Sequence, residues 1–89
     1  MYSRWRLTFA PTGNVYEAST PEGVLRRLSK AQFTPEAKRD IKSALAWRAW
    51  TLGYNVDETQ DDQTFLIAYA ATGLATLEVK DRSRGWLTY

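Results

Sequence analysis

The chain contains neither cysteine nor histidine. The first absence excludes disulfide frameworks, thiolate nucleophiles and zinc-ribbon sites. The second removes the commonest general base and metal ligand. Long apolar runs are missing too. The longest stretch without a charge, Gln63 to Leu77, is interrupted by Thr64, Thr72, Gly73 and Thr76, and is too short and too polar to span a bilayer. The opening Met1-Tyr2-Ser3-Arg4-Trp5-Arg6 has no apolar stretch resembling a signal peptide. These absences lead to the expectation of a cytoplasmic protein with no membrane association, no metal and no cofactor.

Catalytic signatures are absent as well. The sequence holds no G-x-S-x-G, no S-x-x-K, no phosphate-cradling glycine loop and no G-x-G-x-x-G. Asn55-x-Asp57-x-Thr59-x-Asp61 places oxygen ligands at alternate positions, like the start of a calcium loop. Its sixth position is Gln60 instead of glycine and its twelfth is Leu66 instead of glutamate, so the sharp turn and the bidentate closer are both missing. The expectation is a protein that is not an enzyme.

What the chain does have is aromatic area. Its 89 residues include four Trp, five Tyr and three Phe, and each such side chain can bury roughly 150–250 Å². A chain of this length forms one small domain that buries only about 60–65% of its unfolded surface, so these rings are the first candidates for the core.

Residues 4–9 alternate, with Trp5, Leu7 and Phe9 on one side and Arg4, Arg6 and Thr8 on the other, the pattern of a half-buried strand. Ala10-Pro11-Thr12-Gly13-Asn14 reads as a turn and Val15 to Ala18 as the return strand. Thr20-Pro21-Glu22 and Thr34-Pro35-Glu36 spell two helix starts: a capping hydroxyl, a proline whose missing N–H costs nothing at the first position, and an acid at the positive end of the dipole. The first helix is expected to reach about Ala31 and to bury Val24, Leu25 and Leu28. The second is expected over about Glu36 to Leu52, ending at Gly53. A third helix is expected from about Glu58 to Thr72, with a strand over Thr64 to Ala71 as the alternative. Leu74 to Lys80, with Ala75, Leu77 and Val79 on one face, and Trp86 to Tyr89 form a closing hairpin. The expected fold is a two-layer α+β domain of order ββαααββ, with an antiparallel sheet of two hairpins covered by helices on one face.

The net charge of +2 conceals a split. Residues 20–53 carry seven basic and three acidic side chains, for +4, whereas residues 54–72 carry Asp57, Glu58, Asp61 and Asp62 and no base, for −4. Such a dipole favours oriented encounter with a charged surface. In the second helix, Ala37, Ile41, Ala44, Leu45 and Leu52 fall on one stripe at 100° per residue, an ordinary core face that also takes in Arg48. Trp47 and Trp50 lie well around from it, with Tyr54 near them if the helix persisted. A helix that is apolar on two sides is either sandwiched or exposed to a partner, and three layers are hard to fill with a chain this short.

In size and in lacking both cysteine and a catalytic signature, the chain resembles the small accessory proteins of bacteria and bacteriophages, which bind and modulate host proteins. That resemblance assigns no residues. The functional expectation is a regulatory interaction module that binds a partner protein, alone or as a homodimer, through Trp47, Arg48, Trp50 and Tyr54. The alternative is a nucleic-acid-binding protein that combines Arg4, Arg6, Arg82, Arg84 and Trp86 with a basic helix face including Arg26 and Arg27. A helix-turn-helix version is unfavourable, because the recognition helix would begin with four acids that repel phosphate.

Overall fold

The computed structural model describes residues 2–89. Alternation in the first segment becomes strand β1 (Tyr2–Phe9), which turns at Gly13 into β2 (Val15–Ala18). Four helices follow, α1 (Pro21–Lys30), α2 (Pro35–Arg39), α3 (Ile41–Thr51) and α4 (Asp62–Ala71), then β3 (Ala75–Asp81) and β4 (Gly85–Thr88). The sheet is antiparallel throughout, in the order β2-β1-β3-β4. The two hairpins therefore join through β1 and β3, in a register that sets Trp5 opposite Val79, Leu7 opposite Leu77 and Phe9 opposite Ala75.

All six of those side chains are buried, as the alternation requires. Val24, Leu25 and Leu28 of α1, Leu45 and Ala49 of α3, and Phe65, Leu66 and Tyr69 of α4 cover them from one side. This is the expected two-layer α+β arrangement. The C-terminal Tyr89 reaches back to β1, where its ring lies over Trp5 at 6.3 Å between centroids.

Thr20 and Thr34 cap α1 and α2 as read from the sequence, accepting from the amides of Gly23 and Ala37 at 3.0 and 3.2 Å. The expected single helix from Glu36 to Leu52 is instead divided at Asp40. There ψ is 81° and the carboxylate accepts from the Ser43 amide at 3.1 Å. A short acidic side chain that satisfies a free amide competes with helix continuation, and here it caps a new helix. The expected third helix forms and the strand alternative over Thr64 to Ala71 does not, but α4 starts at Asp62 instead of Glu58. Asp57 folds residues 57–60 into a local turn by accepting from the Thr59 amide, and Asp61 takes the cap by accepting from Thr64.

The break also shifts the core stripe of α3. Leu45 is fully buried and Ile41 and Ala44 are half-buried, but Leu52 is exposed, because the helix stops at Thr51 and the chain turns at Gly53 with φ +91°. Arg48, expected within the stripe, is exposed at its border, and Ala49 fills the inward position.

Helix α1 lies close on β2. A Cβ added at Gly23 would stand 2.8 Å from the Ala18 Cβ and 3.2 Å from the Thr20 hydroxyl. Alanine is the better helix former by about 1 kcal/mol, yet overpacking of this kind costs about 1–3 kcal/mol. Gly23→Ala is therefore expected to lower the melting temperature, by several degrees in a domain of this size. Thermal unfolding followed by circular dichroism checks this, and a rise would show that α1 can move off the sheet without loss.

Candidate functional site

Helix α3 turns its small inward residues, Leu45 and Ala49, to the core, and at 100° per residue Trp47 and Trp50 emerge on the opposite side. The described residues leave them mostly uncovered, with exposures of 64% and 62%. The two indoles stack on each other, 5.3 Å between centroids and 25° between planes. This is the i,i+3 spacing at which helix side chains meet. Together they leave roughly 300 Å² of aromatic surface in water, comparable to the largest apolar patch of a typical monomer. Every buried side-chain N or O atom among the described residues has a hydrogen-bond partner. The stacked indole pair is therefore exposed apolar surface on a domain whose buried polar atoms are satisfied.

The other residues expected at this face are placed differently. Arg48 lies about 100° around α3 from Trp47, where its nearest polar contact is a long 3.5 Å approach to Gln32 Oε1. Tyr54 follows Gly53 beyond the helix end, exposed, with its amide returned to the Ala49 carbonyl at 2.9 Å. A groove between α2 and α3, lined by Ala37, Asp40 and Ala44, borders Trp47 on one side.

The acidic segment runs back along the other side of α3. Lys42 tethers it by donating to the Gln60 carbonyl and pairing with Asp62 at 3.2 Å. Asp57 accepts from the Thr59 amide at 2.9 Å, the Thr59 hydroxyl at 2.6 Å and the Gln60 amide group at 3.2 Å. Hydrogen bonds from Thr59 hold its carboxyl below the usual carboxylate range, and those from Thr64 do the same for Asp61. These carboxylates serve turn and cap. The described residues contain no group of three His, Cys, Asp or Glu side chains able to hold a metal ion.

The residues of the nucleic-acid alternative are divided between two places and a turn. On the open face of the sheet, Arg4 pairs with Glu17 at 2.8 Å, and Arg6 grips both Glu78 oxygens at 3.1 and 3.2 Å. The hydrogen bond to Glu78 pushes the Arg6 pKa still higher. The same guanidinium lies 3.8 Å over the Trp86 ring, so that indole already has its cation. Arg4, Arg26, Arg27 and Lys30 line a shallow polar groove beside α1, with Arg26 held by Glu22. Arg82 and Arg84 sit on the β3–β4 turn, which is organised by Asp81 accepting from Ser83 and Arg84.

One feature escaped the sequence reading. Phe33 is fully exposed beside a cleft floored by Phe9, Leu28 and Tyr69. A signal for its exposure was present: Phe33 precedes the Thr34 cap, where an apolar residue normally staples to the fourth helical position, but that position is Lys38.

Three carboxyls, those of Asp57, Asp61 and Asp81, have lowered pKa values from local hydrogen bonds. Their stabilising contribution is present above the unfolded carboxylate pKa of about 3.9 and is lost as pH falls through the lower folded values. The melting temperature is expected to fall on acidification below about pH 4, and less steeply when all three are replaced by asparagine. An equal slope in the triple variant would assign the acid sensitivity elsewhere. Comparison with protein-family models, curated proteins and solved structures finds no match for the chain.

Proposed function

We propose that the protein is a non-enzymatic interaction module that docks on a partner protein through the outer face of α3, with Trp47 and Trp50 as the anchors. The observation that carries this reading is the exposed, mutually stacked indole pair on the side of the helix away from the core. Tryptophan dominates binding hot spots because it supplies large rigid area with one donor. Stacking of one indole on the other restricts both rings before binding, which lowers the ordering cost of association. The acidic loop beside the helix, with Glu58 exposed and free of any salt bridge among the described residues, favours a partner whose apolar groove has a basic rim.

Phosphate-backbone binding has less support. Of the four cations lining the groove beside α1, Arg4 and Arg26 are already paired with Glu17 and Glu22. Arg27 and Lys30 remain, and two phosphate contacts give a salt slope of only about −2 on a logarithmic scale, a weak interaction at physiological salt. No aromatic ring lines that groove, so a base would find nothing to stack on.

The test uses the double variant Trp47→Ala/Trp50→Ala. Surface truncations away from packed features change stability by about 0.5 kcal/mol or less, so the variant is expected to melt within a few degrees of the wild type. Its binding to a partner captured from the source cell's extract is expected to weaken at least about thirtyfold, the loss of a hot spot worth 2 kcal/mol. Sedimentation equilibrium on the pure protein separates partner binding from self-association through the same face. A variant that unfolds would place the indoles in the core, and a partner retained in full would place the binding surface elsewhere.

A further inference from the structure

On the edge of α3 away from the acidic loop, a cleft of about 370 Å³ opens between the β1–β2 turn, the end of α1, the end of α3 and the end of α4. Phe9, Leu28 and Leu74 make its apolar floor, and the exposed side chains of Phe33 and Leu52 stand at its rim. The volume falls at the lower end of the range for small-molecule sites.

Thr12, Asn14, Gln32, Arg48 and Tyr69 are polar residues of the lining, and two of them are suited to an anion. Tyr69 is 1% exposed, its ring wedged against Phe9 and Phe65; its hydroxyl has no hydrogen-bond partner among the described residues, and because every fully enclosed side-chain N or O atom there has one, that oxygen keeps a small exposure. The small accessible part of that residue belongs to the cleft lining. A phenol whose ring is buried but whose oxygen keeps a small exposure without a protein partner, at the wall of an apolar cleft, is suited to a ligand acceptor. Arg48 is the second group. It lines the same cleft, forms no salt bridge among the described residues, and lies near enough for its charge to oppose the burial that pushes the Tyr69 pKa up. Gln32, anchored by donating to the Leu28 carbonyl at 3.0 Å, offers Arg48 only the long contact described above. No Asp or Glu lines the cleft. The ends of α1, α3 and α4 bring partial negative charge toward it, but cap amides already engage their last carbonyls, including those of Leu28, Ala49 and Tyr69, and the full charge of Arg48 outweighs them.

From this geometry we infer that the cleft binds a small amphipathic carboxylate, with its aliphatic or aromatic body on Phe9, Leu28 and Leu74 and its carboxylate accepting from the Tyr69 hydroxyl and the Arg48 guanidinium. The site is separate from the indole face, and its occupancy does not depend on partner docking there.

Octanoate, with octanamide as the uncharged control, tests the site by titration into the ¹⁵N-labelled full chain. Octanoate is expected to shift the amide signals of cleft-lining residues with a Kd of about 0.1–1 mM, and octanamide to bind at least tenfold more weakly. Arg48→Gln, at an exposed position, and Tyr69→Phe, which removes only the hydroxyl, are each expected to weaken octanoate five- to tenfold while the melting temperature stays unchanged. Trp47→Ala/Trp50→Ala is expected to bind octanoate as the wild type does. Equal binding of acid and amide, shifts outside the cleft, no shifts at all, or octanoate affinity untouched by both Arg48→Gln and Tyr69→Phe would each overturn the inference.

Discussion

Strands β1 and β3 come from opposite ends of the chain yet pair from Tyr2–Asp81 to Phe9–Ala75. That pairing turns two local hairpins into one sheet and brings Trp5, Leu7, Phe9, Ala75, Leu77 and Val79 onto a single apolar face. Closing so long a loop is costly in entropy, and the return comes from burial along the whole register. On the opposite face the same register sets Arg6 between Glu17 and Glu78. Charges there are balanced across the strands and leave that face solvated, as a sheet covered on one side requires.

A sheet with one apolar face accepts one layer of helices, and 89 residues supply no second layer. Each helix therefore has one inward side. For α1 this suits the sequence, because Val24, Leu25 and Leu28 lie together and the charged residues point out. For α3 it does not, since only Leu45 and Ala49 are fully taken into the core and the remaining apolar bulk is in the two indoles behind them. The exposed pair follows from the limit on layers, with no strain in the helix needed to explain it.

How much of this was legible depends on how local the signal was. The period-two run through Trp5, Leu7 and Phe9 and the Thr-Pro-Glu starts act over a few residues, and the structure reproduces both. The division at Asp40 was not read, because lysines, alanines and apolar residues continue at helical spacing on both sides and mask a single capping carboxylate. The outward position of Trp47 and Trp50 could be read from a helical wheel once the inward stripe was located. The position of Arg48 could not, because it depends on where the helix ends and on Gln32 in another segment. The cleft was illegible for the same reason: its lining comes from four separated stretches, and Phe9, Leu28 and Tyr69 each look like plain core residues in isolation.

The domain keeps Trp5 in its core and holds Trp47 and Trp50 outside it. Uniform ¹⁵N labelling gives four indole N–H signals, one for each of Trp5, Trp47, Trp50 and Trp86, and a soluble nitroxide broadens those that solvent reaches. At concentrations where sedimentation shows a monomer, strong broadening of the Trp47 and Trp50 signals and protection of Trp5 are expected. Protection of Trp47 and Trp50 in that monomer would contradict this placement of the indoles.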